Sequence, residues 1–286
     1  MDRRAFLATS AAGMALVAQG GRCFAAAEAD SGPRIADVEI WRLDGHREAE
    51  QGVHRQYQVK PLYIYDSERP APYVESEASG TGTADVSALY VKITTDEGVE
   101  GIYGPIDRES AIVIDLQLRS FLRGRPALAG ETLWDQMYRL NRHSRAGHFM
   151  MGMSATDNAL WDLRGHYYGA PVYQLLGGPT RDKVEAYGSC LGYSVEPDRV
   201  RTQCVAFARE GFRHQKWFLP YGPGSGTQGL KDNVALVRNL REAAGDDVEF
   251  MFDAFMGWDL RYAIAWAKEV EQYRPRWIEE AFPPDR

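Results

Sequence analysis

The sequence predicts an α/β protein, with a mixed first part and a parallel sheet in its second part. Strand and helix patterns alternate regularly after Pro179, and repeated strand–helix units favour a parallel sheet, either open or closed into a barrel. The chain has 286 residues, of which 44% are hydrophobic, enough to bury a sizeable core. Its formal net charge of −7 disfavours nucleic acid as the main partner. The three cysteines lack CxxC spacing, which argues against a disulfide framework or a thiolate zinc site.

The first residues have the three-part pattern of an export signal. Arg3 and Arg4 precede a mild apolar stretch, and Ala25 and Ala27 provide small residues for cleavage. The paired arginines resemble the twin-arginine type, so we predict a signal peptide over 1–27 and a periplasmic location. The stretch is too short and too weakly apolar to span a membrane, so no stable membrane insertion is expected. The alternative is a frayed, alanine-rich helix.

The first part of the remaining chain mixes strands and helices, and we assign it to a domain over 34–153. It begins with a predicted strand at 35–41, followed by a long polar stretch that we interpret as a loop over 42–85. Thr95–Gly98 then joins two β-rich runs in a hairpin. Helices are predicted at 109–122, 133–141 and 154–168. The last helix is predicted to start at a capping signal formed by Ser154 and Asp157. It begins a helical connection over 154–182 that leads into the second part of the chain.

The alternating region covers 183–286. Strands are predicted at 184–187, 214–219, 248–253 and 276–280, with helices at 197–210, 230–244 and 260–273 between them. A closed eight-stranded barrel needs roughly 250 residues, so this region holds about half of one. An open doubly wound sheet of four strands would also fit its length.

Polar residues end three of these apolar strands, at the edge where parallel folds bind their ligands. They are Lys216, Asp253 and the pair Glu279 and Glu280. Carboxylates on adjacent strands repel each other, and a hard divalent cation such as Mg²⁺ removes that repulsion. Because side chains alternate along a strand, either Glu279 or Glu280 faces inward, not both. The alternative makes Asp253 a helix N-cap and the two glutamates a solvated charge pair.

Several motifs together resemble the mandelate racemase and muconate lactonizing branch of the enolase superfamily. They are, in order, Ser154–Leu163, Gly169–Gly178, Gly211–Lys216, Asp253 and Trp277–Glu280. The resemblance is strong after Met153 and weaker before it. It implies an α+β capping domain followed by a TIM-like (β/α) barrel, of which this chain would hold the first half.

The resemblance also implies a Mg²⁺ site on successive barrel strands. Asp253 matches the first ligand and Glu279 the second. Glu280 is expected to support these two ligands without binding the metal itself. The implied reaction removes the proton next to a substrate carboxylate, with the metal stabilising the enediolate. Such sites use a Lys or His base, and the candidates here are Lys216 and His214.

The motif departs from the racemase pattern at one position. Lys216 matches the first lysine of the Lys-x-Lys pattern, but Phe218 stands in place of the second. A phenyl ring cannot abstract a proton, so the lysine-base route of the racemases is in doubt. The pattern is more similar to that of the acid-sugar dehydratases, in which a histidine from a later strand serves as base. The expected partner is a small acid sugar, and a homo-oligomer is compatible with this interpretation.

The chain stops six residues after Glu280, before the positions of the family's third ligand and late histidine. We therefore expect a fragment or a truncated relative that is catalytically poor by itself. His46, His54 and Arg55 lie in the polar stretch where the family's cap contributes specificity, so they are candidates for substrate contact, although histidines in a solvated loop more often have no specific role.

Two other classes of function compete with this interpretation. The first is a non-catalytic, exported protein that binds acid sugars. The second is an NAD-dependent oxidoreductase, because Gly224–Gly229 satisfies GxGxxG between a strand and a helix. Against it, the loop is longer than the usual tight turn, and the acidic residues Asp246 and Asp247 precede a strand instead of ending one.

Overall fold

A computed structural model of the protein describes residues 32–50, 58–70 and 81–285. The predicted signal peptide over 1–27 lies outside these residues. The chain divides into two compact units. The first is Met1–Arg47 with Ala84–Asp182, and the second is Glu48–Thr83 with Lys183–Arg286. Residues 58–70 thus belong to the second unit, although they lie within the predicted first domain in sequence.

A three-stranded sheet in the order β1-β2-β3 opens the described chain. Its strands are β1 (Ile35–Glu50), β2 (Thr81–Thr95) and β3 (Glu100–Ile106). The predicted hairpin is confirmed, since β2 and β3 pair antiparallel. The loop predicted over 42–85 is wrong at both ends, where β1 and β2 extend into it. Most of β1 after Ile40 is exposed, so its sequence lacks the apolar alternation that marks a half-buried strand.

Helices cover one face of this sheet. They are α1 (Arg108–Val113), continued through a π-helical stretch (Ile114–Leu118) into α2 (Arg119–Leu122), and then α3 (Gly130–Leu140), α4 (Gly147–Tyr168) and α5 (Val172–Leu175). The predicted helix start at Ser154 is wrong, because α4 begins at Gly147 and Ser154 lies inside it. Phe149 and Met153 are buried in the core of this unit, so packing extends the helix past the local capping signal.

The second unit contains a four-stranded parallel sheet in the order β4-β5-β6-β7. Its strands are β4 (Gly188–Ser189), β5 (His214–Phe218), β6 (Glu249–Asp253) and β7 (Trp277–Glu279). The helices between them are α6 (Pro197–Arg209), α7 (Gly226–Ala244) and α8 (Leu260–Val270). The alternation predicted from sequence is confirmed, except that the first strand lies at 188–189 instead of 184–187.

One face of this sheet packs against the helices and forms the core of the unit. Trp217, Phe250 and Phe252 are fully buried there against apolar residues of α7 and α8. Cys190 and Cys204 belong to the same core, and burial raises the pKa of each thiol to about 12. Among the described residues, none of the helices has the length and apolar character needed to cross a membrane.

A short segment over 58–70 packs on the loops that follow β5 and β6. The amide of Val59 donates to the carbonyl oxygen of Leu219 at 3.0 Å, and the Val59 side chain is 1% exposed. Two 3₁₀ turns follow, at Pro61–Ile64 and Asp66–Glu68. The segment therefore covers the edge of the sheet where the strands have their carboxyl ends.

Candidate metal and substrate site

The register of the parallel sheet brings the predicted strand-end residues to one face. Phe218 is the partner of Asp253 in the β5–β6 ladder, and Asp253 is the partner of Glu279 in the β6–β7 ladder. Partners in a parallel ladder point to the same face, and alternation keeps this face opposite to the helix-packed side. Asp253 and Glu279 therefore lie on neighbouring strands and point the same way, as the sequence predicted.

Both carboxylates contact the ammonium of Lys216. Its Nζ lies 2.6 Å from Oε1 of Glu279 and 3.3 Å from Oδ2 of Asp253. The side chains of Lys216 and Asp253 are 9% and 5% exposed, and that of Glu279 is 33% exposed. Burial alone would lower the pKa of Lys216, but the hydrogen bonds that its ammonium donates to the two carboxylates, together with their negative charge, outweigh burial and raise the pKa above its ordinary value. The lysine is an ammonium that neutralises two converging carboxylates.

Aromatic rings flank this ammonium. The Nζ of Lys216 lies 5.1 Å from the ring centre of Phe218 and 5.5 Å from that of Tyr187, within the range of cation–π attraction. Phe218 thus shares the inward face with Lys216, as strand alternation predicted. The two rings restrict where the lysine side chain can go, so the charge is held at the carboxyl end of β5.

The second oxygen of each carboxylate has its own donor. Oδ1 of Asp253 accepts from the amide of Phe255 at 2.9 Å, and Oε2 of Glu279 accepts from Nε1 of Trp277 at 3.2 Å. Asp253 is not a helix N-cap, because α8 is capped by Asp259, whose Oδ1 accepts from the amide of Tyr262. Trp277 is a site residue that was not predicted from the sequence, although its position two residues before Glu279 on one strand places both side chains on the same face.

Glu280 directly follows Glu279, the last residue of β7. It is exposed, and its backbone is left-handed, with φ of 46°. Its carbonyl oxygen accepts from the amide of Met256, itself in a left-handed conformation with φ of 59°. Left-handed non-glycine residues are sparse and tend to occur at functional sites. The backbone of Glu280 thus stabilises the loop after β6 by a hydrogen bond. The expected support of the metal ligands by the Glu280 side chain stays a prediction.

His214 is at the other end of β5. Its ring nitrogens lie 3.2 Å from Glu249 and 3.5 Å from Glu185, both carboxylates at the amino end of the sheet. Because Glu249 is the first residue of β6 and Asp253 the last, His214 is not brought together with the carboxylate pair. The structure therefore favours Lys216 over His214 as the residue that acts at this site.

Of the three residues predicted to contact substrate, His46 falls within the described residues. His46 lies on β1 in the first unit, where Nδ1 is 2.7 Å from Oδ1 of Asp85, and both side chains are largely exposed. His54 and Arg55 lie outside the described residues. Their proposed contact with substrate stays a prediction.

The donor set at the pair suits a hard divalent cation. Mg²⁺ takes oxygen ligands and is commonly bound by one or two carboxylates, with water or substrate at its other positions. Asp253 and Glu279 present carboxylate oxygens to one shared cation, the Lys216 ammonium. The described residues form no cluster of three or more His, Cys, Asp or Glu side chains that could hold a metal. The described residues therefore offer two protein ligands for a metal at this place, Asp253 and Glu279.

Two glycines of the GxGxxG pattern have packing explanations, and the third, Gly226, has a positive φ of 61° at the first residue of α7. A Cβ on Gly224 would overlap the carbonyl oxygen of Tyr63, and one on Gly229 would overlap the side chains of Ser225 and Tyr221. Asp246 and Asp247 lie in a 3₁₀ turn before β6, not at the end of a strand. These glycines therefore allow close packing of the segment over 58–70 and of α7, which removes the main support for a dinucleotide site.

A parallel sheet with polar residues at its carboxyl end is typical of (β/α) barrel proteins, whose sites lie at that edge. Comparison with known proteins agrees. The family model of the mandelate racemase / muconate lactonizing enzyme N-terminal domain matches residues 63–177, and the enolase C-terminal domain-like model matches residues 199–286. Together they cover most of the chain. The chain belongs to the mandelate racemase and muconate lactonizing branch of the enolase superfamily, as its motifs indicated.

Individual relatives are acid-sugar enzymes. The chain is 33% identical over 219 residues to the L-rhamnonate dehydratase of Saccharopolyspora erythraea, covering 75% of this chain and 53% of the relative. The crystal structure of rhamnonate dehydratase from Gibberella zeae complexed with Mg matches with a TM-score of 0.70 and 26% identity, covering 89% of this chain and 61% of that one. The 3,6-anhydro-D-galactonate cycloisomerase from Zobellia galactanivorans matches with a TM-score of 0.64 and 26% identity, covering 88% and 60%. This chain spans about half to three fifths of the length of these relatives.

Proposed function

We propose that this protein takes part in Mg²⁺-dependent dehydration of an acid sugar, with Asp253 and Glu279 as ligands of the metal. The observation that carries the proposal is the convergence of these two carboxylates on one cation at the carboxyl end of the sheet. The relatives named as rhamnonate dehydratases support a sugar acid as the substrate class. L-Rhamnonate is therefore the first substrate to test.

Each residue of the site has a distinct part in this proposal. Asp253 and Glu279 would hold Mg²⁺, and Phe255 and Trp277 fix their other oxygens by hydrogen bonds. When bound, Mg²⁺ supplies positive charge that favours loss of the proton next to the substrate carboxylate. Lys216 supplies a second positive charge at the same place, suited to a substrate carboxylate. Phe218 excludes water from one side of the lysine, because it is buried and apolar.

The metal is tested first, by titrating the metal-free protein with Mg²⁺ in a calorimeter. We expect binding by the unmodified protein and no detectable binding by Asp253→Asn or Glu279→Gln. Glu249→Gln is the matched control, because Glu249 lies on the same sheet face at the amino end. If both site variants bind Mg²⁺ as the unmodified protein does, the assignment of the ligands fails.

The reaction is tested with L-rhamnonate and other sugar acids, with and without Mg²⁺, by following formation of the 2-keto-3-deoxy acid. Turnover that needs Mg²⁺ and is lost in Glu279→Gln supports the dehydratase. Tight binding of a sugar acid without any product would favour the non-catalytic binding protein instead. Turnover at an unchanged rate in the presence of excess chelator would contradict the proposal.

The role of Lys216 is separated by two substitutions. Lys216→Arg keeps a positive charge, whereas Lys216→Met removes it and keeps much of the length. If the lysine binds the substrate carboxylate as a cation, Lys216→Arg retains measurable sugar-acid binding and Lys216→Met does not. If binding survives in both variants while turnover is lost in both, Lys216 transfers the proton.

The proposed location is the periplasm, reached by twin-arginine export. The support is the paired Arg3 and Arg4 before the apolar stretch. A reporter that is active only outside the cytoplasm, fused after residue 27, should be exported by the native sequence and retained when both arginines are replaced by lysine. Equal export of both fusions would contradict the assignment.

A further inference from the structure

Trp277 and Lys216 donate hydrogen bonds to different carboxylate oxygens of Glu279. Its Nε1 donates to Oε2 of Glu279 at 3.2 Å, while Nζ of Lys216 donates to Oε1 at 2.6 Å. The two donors differ in kind. The lysine is a cation and is positioned where a cation is needed, whereas the indole is a neutral donor that does not compete with a metal for the carboxylate. Trp277 can thus orient the carboxylate whichever cation is present.

The indole itself is held in place. Its ring packs edge-to-face against Tyr187, with ring centres 6.2 Å apart and planes at 77°. The guanidinium of Arg276 lies 5.7 Å from the ring centre. These contacts limit rotation of an indole that is otherwise 38% exposed. A donor whose direction is fixed can in turn fix the direction of its acceptor.

A glutamate needs such help more than an aspartate does. Its side chain has three rotatable bonds, and freezing them costs conformational entropy whenever the carboxylate must take one orientation. Asp253 has a shorter side chain, is nearly fully buried and accepts a hydrogen bond from the backbone amide of Phe255. Glu279 is one-third exposed, and its second oxygen depends on a side-chain donor.

We propose that Trp277 is a positioning residue that presets the Glu279 carboxylate for Mg²⁺. The inference rests on the proposed metal site. It adds a residue that does not contact the metal but whose replacement weakens metal binding. Hydrogen-bond partners of metal ligands commonly contribute about 10- to 100-fold to metal affinity. The indole is 38% exposed, so its contribution falls at the low end of that range.

The test compares Trp277→Phe with Trp134→Phe. The phenyl ring keeps most of the apolar contact with Tyr187 but cannot donate a hydrogen bond. Trp134 is the matched control, because it has the same 38% exposure and lies in the first unit, stacked on Tyr138. Calorimetric titration should show Mg²⁺ affinity about tenfold weaker in Trp277→Phe and unchanged in Trp134→Phe.

Two further measurements separate positioning from a general loss of structure. The thermal unfolding midpoint without metal should be similar in Trp277→Phe and Trp134→Phe. The indole emission should change on Mg²⁺ addition in Trp134→Phe, and this change should be absent in Trp277→Phe, since Trp277 reports directly on Glu279.

Unchanged Mg²⁺ affinity in Trp277→Phe overturns the inference and leaves the metal site intact. An affinity loss that is matched by a large drop of the metal-free unfolding midpoint also overturns it, because the role is then structural. Absence of Mg²⁺ binding in the unmodified protein overturns the proposed metal site and this inference together.

Discussion

The two ends of the four-stranded parallel sheet carry similar charges in different surroundings. At the carboxyl end, the carboxylates of Asp253 and Glu279 share the ammonium of Lys216. At the amino end, Glu249 contacts both His214 and Arg276. Both clusters lie on the same face of the same strands. The difference is that Lys216 and Asp253 are buried, whereas Glu249 and Arg276 are each about half exposed.

The surroundings of the two ends also differ. The segment over 58–70 packs on the loops at the carboxyl end, with Val59 inserted beside Gly222 and Gly257. An open cavity of about 120 Å³ lies beside His214 and Arg276 of the amino-end cluster, and it is also lined by Tyr187 and Trp277. Charges interact more strongly where water is excluded, so the ion pairs of the buried cluster at the carboxyl end should be stronger than those of the exposed cluster at the amino end.

The largest effect should come from removing the shared cation at the carboxyl end. Lys216→Met leaves two carboxylates facing each other, one of them buried, and should lower the free energy of unfolding by about 3 kcal/mol in the absence of metal. Mg²⁺ should restore more stability to this variant than to the unmodified protein, because it replaces the missing positive charge. Urea unfolding with and without Mg²⁺ measures both.

Lys231→Met is the control for that substitution. Lys231 is an exposed lysine on α7, and its loss should change the free energy of unfolding by less than about 0.5 kcal/mol. If Lys216→Met is no more destabilising than Lys231→Met, the buried charge cluster is not as the structure shows it, and the contrast between the two ends disappears.

An intermediate effect should follow from disturbing the cover of the carboxyl end. A Cβ on Gly257 would lie 2.6 Å from Cγ2 of Val59, so Gly257→Ala must displace the inserted valine. Overpacking of this kind lowers the free energy of unfolding by about 1–3 kcal/mol. Amide hydrogen exchange should become faster at Val59, whose amide donates a hydrogen bond to the carbonyl oxygen of Leu219.

Gly188→Ala is a matched change near the amino end. A Cβ at Gly188 would meet the Phe212 side chain at 3.6 Å, an ordinary contact, and should be tolerated. Equal exchange at Val59 in the two variants would show that the segment over 58–70 is not held by this insertion.

The smallest effect should come from the amino-end cluster. Hydrogen bonding from Arg276 lowers the pKa of Glu249 below its ordinary value. A carboxylate with a lowered pKa in the folded state stabilises the protein above its unfolded-state pKa, and this contribution is lost as the pH falls through the folded-state pKa. Glu249→Gln should therefore be slightly less stable than the unmodified protein at pH 7, and equally stable in acid. The difference at pH 7 should also shrink in 1 M salt. A difference that persists in acid would mean that packing, not charge, is responsible.

Prediction from sequence worked best where the pattern is local and periodic. The strands that carry Lys216, Asp253 and Glu279 were placed within one or two residues, because apolar runs between helices are a strong signal. It failed where exposure or packing overrides the pattern. The start of α4 at Gly147 and the extension of β1 to Glu50 are examples of this. A polar, exposed strand carries no alternation, and a buried helix continues through an internal capping signal.

Within the site, the sequence identified Lys216, Asp253 and Glu279 but not Trp277, and it proposed His214 as an equal candidate. Alternation shows that His214 and Lys216 share a face, but not which neighbours cover each end of that face. Only the tertiary structure shows that Glu185 and Glu249 lie beside His214. It also shows that the ring of Tyr187 lies beside both Lys216 and Trp277.

The sequence by itself determined the α/β order of elements, the family, and the chemical identity of the strand-end residues. These follow from side-chain periodicity and from motifs that are contiguous along the chain. Only the tertiary structure decided which oxygen of each carboxylate meets which donor, and which end of the sheet is covered. These depend on contacts between residues far apart in sequence, such as Val59 with Gly257 and Lys216 with Glu279, whose geometry is set by the packing of the whole unit.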